Sequence, residues 1–185
     1  MAASQVAWNI ADAEGRLPAH LSVAIVDDNE TMRGLVVEML RSLGLNRFLT
    51  ASDGAEAVLK IAPANPDLLI VDCYMQPLNG VEFTRLVRHG KTELEPAVPI
   101  IFMSGHGQAD VVGAARDAGV SEFLVKPFAT DILRARILTS LERPRPFIRA
   151  RGYVGPDRRR RRLAWGGPER RHSVYWPAPE PDHVA

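Results

Sequence analysis

The chain is poor in cysteine, in lysine and in long apolar runs. A single cysteine, Cys73, excludes an internal disulfide and fits a reducing compartment. No apolar stretch approaches the ~20 residues needed to span a bilayer. The N-terminus lacks the basic segment followed by an apolar one that marks a secretory signal, so a cytoplasmic protein is expected. Lysine occurs three times against twenty arginines, so a lysine at an interior position needs a reason.

What is present is unevenly spread. From residue 143 onward the local net charge is +7, which leaves −6 on residues 1–142. Half of the fourteen prolines lie in that same C-terminal part, so an acidic body carries a basic, Pro- and Arg-rich tail. The sequence divides into an N-terminal arm over 1–20, a globular body over 21–142 and a tail over 143–185, expected to be largely irregular. The arm has one large residue, Trp8, and no sustained period; it reads as weakly ordered or as a short helix on the body.

The body alternates two periods. Ser22 to Val26, Phe48 to Ala51, Leu68 to Val71, Val98 to Met103 and Ser121 to Val125 read as short buried strands. Between them lie helical stripes. Met32, Leu35, Val36, Met39, Leu40 and Leu43 mark the first, stopped by Gly44. A capping-box pattern from Asp53 to Glu56 starts the second, which runs through Ala62 to Pro63. Gly80 opens the third, with Val81, Leu86 and Val87 inward and Gly90 as its stop. Val111, Ala114, Ala115 and Ala118 mark the fourth, capped by Gly119. A final helix over 130–142 buries Leu133, Ile137, Leu138 and Leu141. Five strands alternating with five helices through short loops predict an α/β fold, a doubly wound parallel sheet of order 2-1-3-4-5.

Four of the five strands end on a chemically useful residue: Asp27 and Asp28, Asp72, Ser104, and Lys126. In a parallel sheet those ends share one edge, where ligands of open α/β sheets bind. Clustered carboxylates need a cation, and hard oxygen donors with room for water suit Mg²⁺. One carboxylate then becomes a nucleophile toward phosphorus, while the metal and a lysine neutralise charge on the phosphoryl group. The Ser104 hydroxyl is a donor to a phosphoryl oxygen.

With these residues in hand, positions 21–142 resemble the receiver domain of bacterial two-component response regulators. The match rests on Val26-Asp27-Asp28, on Val71-Asp72 with Met75 and Gly80, on Ser104, and on Phe123 with Lys126-Pro127-Phe128. The resemblance implies a flavodoxin-like (βα)5 fold and a phosphorylation-dependent signalling switch rather than an enzyme acting on a separate substrate. Asp72 would take a phosphoryl group from a histidine kinase, a histidine phosphotransfer protein or a small donor. Asp28 would ligate Mg²⁺ directly, Asp27 through water and Tyr74 by its backbone carbonyl. Lys126 would pair with the phosphate, and its bond to Pro127 would be cis. Ser104 and Phe123 would form the switch, read by a protein partner on the last two helices; a phosphorylation-dependent homodimer is left open.

Two departures stand out. The family's proline four residues after the acceptor is replaced by Gln76, with Pro77 following. Tyr74 and His106 flank the phosphate position, and their bulk is expected to slow loss of the phosphoryl group. The tail has no period or length matching a DNA-binding output domain, although its arginine-rich ending resembles those of single-domain α-proteobacterial receivers. Gly-Pro-Asp-Arg-Arg at 155–159 recurs as Gly-Pro-Glu-Arg-Arg at 167–171. Arginines 158–162 among Phe147, Tyr153, Trp165, Tyr175 and Trp176 leave nucleic-acid binding as one role of the tail and a protein contact as another. A phosphate shuttle or sink in a phosphorelay is the alternative for the body; a metal-dependent phosphatase is disfavoured because no cap domain is encoded.

Overall fold

The computed structural model describes residues 17–105, 107, 109–150 and 152–158, together with the backbone of 174–176. Trp8, His106, Trp165 and the arginines beyond Arg158 lie outside the described residues, as do the side chains of Tyr175 and Trp176.

Five parallel strands form the central sheet: β1 (Ser22–Val26), β2 (Arg47–Ala51), β3 (Leu68–Asp72), β4 (Ile100–Ser104) and β5 (Glu122–Val125). They are ordered β2-β1-β3-β4-β5. The helices are α1 (Glu30–Ser42), α2 (Gly54–Lys60), α3 (Gly80–Arg88), α4 (Ala109–Ala118) and α5 (Thr130–Glu142). Side chains alternate across each strand, so each helical layer receives every second strand residue. Ala24, Val26, Leu69, Val71, Ile100 and Phe102 pack with residues of α2, α3 and α4. Val23, Ile25, Leu68, Ile70, Ile101 and Met103 pack with Val36, Leu40, Leu133 and Ile137 of α1 and α5. Burial on both faces explains why the strands read as unbroken apolar runs. Among the described residues no helix is long and apolar enough to cross a membrane.

Several local expectations need correction. The α2 capping box is half formed: the Asp53 side chain accepts from Ala55 and Glu56 N–H, but Glu56 turns to the Ser52 backbone and hydroxyl instead of Asp53. A short 3-10 turn at Ala62–Ala64 takes Pro63, so α2 ends at Lys60. In α3 the buried side chains are Phe83, Thr84, Val87 and Arg88, whereas Val81 and Leu86 are half-buried. Arg88, in the last turn of α3, is fully buried. Leu17, assigned to the arm, sits in the core at 3% exposure, and its N–H donates to the Leu43 carbonyl.

The largest correction concerns the tail, which is not irregular throughout. β6 (Phe147–Ala150), β7 (Tyr153–Pro156) and β8 (Val174–Trp176) form a second, antiparallel sheet ordered β7-β6-β8. Ala150 pairs with Tyr153 across a two-residue turn, where Gly152 has φ 76°. Phe147, Tyr153 and Val154 are buried.

Candidate functional site

The register of the parallel sheet assembles the site. Val26 lies beside Val71, Asp72 beside Met103, and Ser104 beside Val125, which brings the C-terminal ends of four strands to one edge. Each strand then releases its polar residue over that edge. The N-cap of α1 is Asn29, whose side chain accepts from Met32 N–H. Asp27 and Asp28 therefore remain in the loop before the helix, with Asp27 Oδ1 accepting from Asn29 N–H at 2.9 Å.

Lys126 draws the carboxylates together. Its backbone N–H donates to the Ser104 carbonyl at 2.7 Å, fixing the start of the side chain. Its ammonium then donates to Asp27 Oδ2 and to Asp72 Oδ1, each at 2.6 Å. Asp72 Oδ2 accepts the Tyr74 backbone N–H at 2.8 Å. Asp27, Asp72 and Ser104 are buried, and Lys126 Nζ reaches the two carboxylates from a partly exposed position. Burial raises the Asp72 pKa, opposed by the Lys126 ammonium and the Tyr74 N–H. Burial disfavours the Lys126 ammonium too, but its bonds to Asp27 and Asp72 prevail and raise its pKa. The Cys73 thiol is pushed up to about 11 by burial and the Asp72 charge, so it packs rather than reacts.

The other expected residues are placed differently. Asp28 is exposed, as is the Tyr74 side chain. Phe123, on β5, is half-buried and packs against the core. His106 falls outside the described residues. The peptide bond before Pro127 is cis, as expected, and the one before Pro77 is cis as well. Two positioning groups escaped the sequence reading. Arg33 donates to the Asp27 carbonyl at 2.6 Å, a contact signalled only by its place one turn into α1. Arg88 ties the loop before β4 to the turn between α4 and β5 through the carbonyls of Pro96, Val98 and Gly119.

A family model described as the response regulator receiver domain matches residues 23–138. The chain belongs to the receiver family. Among its relatives is the chemotaxis protein CheY of Pseudomonas aeruginosa, 32% identical over 123 residues, which cover 66% of this chain and 98% of that protein. The chemotaxis protein CheY1 of Helicobacter pylori is 34% identical over 118 residues, 63% of this chain and 94% of its own. Among solved structures, the receiver domain of a sensor histidine kinase from Pseudomonas aeruginosa, with a magnesium ion coordinated in its active-site cleft, aligns with a TM-score of 0.57 at 30% identity. That alignment covers 64% of this chain and 94% of the other. The receiver is a phosphorylation-dependent signalling switch, and its sheet order 2-1-3-4-5 is that of the flavodoxin-like fold. The matched residues stop before β6, so the second sheet lies beyond the shared domain.

The donor set fits a magnesium ion. The Lys126 ammonium set against the Asp27 and Asp72 carboxylates leaves a negative charge over, which draws a cation to this edge, and the exposed Asp28 follows Asp27 in the same loop. Among the described residues no three acidic, cysteine or histidine side chains enclose a metal by themselves. Carboxylate oxygens are the hard donors Mg²⁺ takes, and that ion keeps several waters and needs only one or two carboxylates from a protein.

Proposed function

We propose that Asp72 is the phosphoryl acceptor of this receiver and that the chain signals through protein contacts instead of turning over a substrate of its own. The observation that carries this reading is the Lys126 ammonium bridging Asp27 and Asp72 at the sheet edge. An oxygen of the Asp72 carboxylate attacks phosphorus. With a phosphohistidine donor the P–N bond breaks, and the imidazole keeps the electron pair and takes up a proton. With acetyl phosphate the P–O bond breaks and acetate leaves.

Lys126 moves from the carboxylate pair toward the new phosphoryl oxygens, compensating charge as it develops. Asp28, Asp72 and the Tyr74 carbonyl would hold Mg²⁺, with Asp27 reached through water, and the ion supplies further charge neutralisation. Ser104, buried at the same edge, donates its hydroxyl to the phosphoryl group, and Phe123 follows it inward. The exposed Tyr74 side chain partly shields the acyl phosphate from water.

The phosphoryl donor is a histidine kinase or phosphotransfer protein, met in the cytoplasm. A downstream protein is favoured by exposed apolar side chains on α4, β5 and α5, namely Val112, Val125 and Ile132.

The test is incubation of the full chain with ³²P-labelled acetyl phosphate and Mg²⁺. Label should enter the wild type in alkali-labile form and be absent from Asp72→Asn. Equal labelling of both proteins would sink the assignment.

A further inference from the structure

The residues after α5 fold back onto the receiver at the end of β5 opposite the phosphorylation site. Arg145 is the main tie. Its Nη2 donates to the carbonyls of Val120 and Ser121 at 3.0 and 2.6 Å, and its Nη1 to the Asp157 carbonyl at 3.0 Å. One guanidinium thus joins the turn between α4 and β5 to the end of the β6–β7 hairpin.

The backbones then meet directly. A Cβ on Gly155 would stand 2.8 Å from Gly119 Cα, and one on Gly119 would stand 2.7 Å from the Val154 carbonyl oxygen. Side chains complete the seat. The Phe147 ring lies over the buried Arg88 guanidinium, 5.4 Å from centroid to Cζ. Arg158 pairs with Asp117 of α4 at 3.2 Å and lies 3.9 Å over the Tyr153 ring.

This seat reaches the switch residue. A cavity of about 250 Å³ lies between the two parts, bounded by Arg145 and Arg158 from the extension and by Val112, Glu122 and Phe123 from the receiver. Phe123 packs on the core and also forms part of the cavity wall. When Phe123 turns inward the cavity loses that wall. Any displacement of β5 also moves the Val120 and Ser121 carbonyls that Arg145 holds.

We infer that the segment 145–158 is a resident effector of this receiver, docked on the α4–β5 turn in the unphosphorylated state and loosened when Phe123 turns inward. The inference rests on the proposed role of Asp72. Its output is the arginine-rich stretch that begins at Arg158, whose pairing with Asp117 is given up when the hairpin loosens. Linkage makes the coupling reciprocal: if phosphorylation weakens docking by some factor, loss of docking favours the phosphorylated form by the same factor.

The experiment is amide hydrogen exchange on the full chain, with and without Mg²⁺ and beryllium trifluoride as the phosphoryl mimic, followed across 147–156. Binding of the mimic is measured in parallel for wild type, Asp72→Asn, Gly155→Val and Arg145→Gln. The last two disturb docking by different means, and circular dichroism checks that each retains the receiver. Exchange across 147–156 should accelerate at least fivefold with the mimic, in the range of ordinary allosteric couplings of about 5–150-fold. The folded docking variant should bind the mimic more tightly by the same factor. Mimic binding that depends on Asp72 but leaves both hairpin exchange and variant affinity unchanged overturns the inference and spares the acceptor. Absence of Asp72-dependent binding overturns the acceptor assignment and the inference together.

Discussion

Gly80 passes so close to Asp72 that a Cβ on it would stand 2.2 Å from the Asp72 carbonyl oxygen. Gly80 N–H also donates to the Cys73 carbonyl at 3.2 Å, so α3 begins against the end of β3. The glycine is required here by space. Gly80→Ala must push helix and strand apart, and overpacking of this kind destabilises by about 1–3 kcal/mol. Urea unfolding of the variant should show that loss. Phosphoryl labelling should also fall, because the displaced atoms belong to the acceptor residue; an unchanged midpoint would refute the steric account.

Asp72 carries a stability signature separate from its chemistry. Burial raises its folded pKa, so its contribution to stability is fully present below the ordinary carboxylate range and is lost as pH rises through the folded value. At neutral pH the ionised group therefore opposes folding. In metal-free buffer Asp72→Asn should melt higher than wild type at pH 7, with the gap closing toward acid pH. A variant that melts lower at pH 7 would show that the Lys126 bond outweighs desolvation.

Lys126 gives the opposite limb. Its raised folded pKa means that its contribution is present below the ordinary lysine range and is lost as pH rises through the higher folded value. Wild type should lose stability on the alkaline side above that range, and Lys126→Met should lack this limb. At pH 7 the substitution leaves Asp27 and Asp72 without their cation. Breaking a fully buried pair costs about 3–5 kcal/mol, and the partial exposure of Lys126 reduces the expected loss to about 1–3 kcal/mol. Thermal scans from pH 6 to 11 read both effects.

Arg88 is a buried cation that holds backbone. It donates to the carbonyls of Gly119, Pro96 and Val98 at 2.8, 2.7 and 2.8 Å, while its Nη2 has no hydrogen-bond partner among the described residues. Arg88→Met removes an unfavourable buried charge but leaves three carbonyls unsatisfied. The net loss should be about 2–4 kcal/mol in urea. Arg88→Lys should recover less than half of it, because an ammonium lacks the fork that spans these acceptors. Full recovery with lysine would mean that charge alone matters.

The five strand–helix units and the convergence of Asp27, Asp72, Ser104 and Lys126 were legible because each depends on local pattern plus one topological rule. Alternating burial fixes the strands, and a parallel sheet sends their ends to one edge. Arg88 was not legible, because nothing at its own position distinguishes an arginine that faces solvent from one that faces carbonyls about ten and thirty residues away. The hairpin was missed for a different reason. Four-residue strands rich in Arg, Gly and Pro carry little periodicity, and the one available signal was Gly152 between two short segments containing apolar and aromatic residues.

β6 lies between β7 and β8, so the 17 residues from Asp157 to Ser173 form an insertion linking the two outer strands that both pair with β6. A stop codon anywhere in that insertion would do more than shorten the protein. It would strip β8 from β6 and bare a row of backbone donors and acceptors, the kind of edge along which copies of a chain add to one another. A nonsense change in that insertion is thus expected to leave an unpaired strand edge open to self-association, which sedimentation of the truncated chain would read.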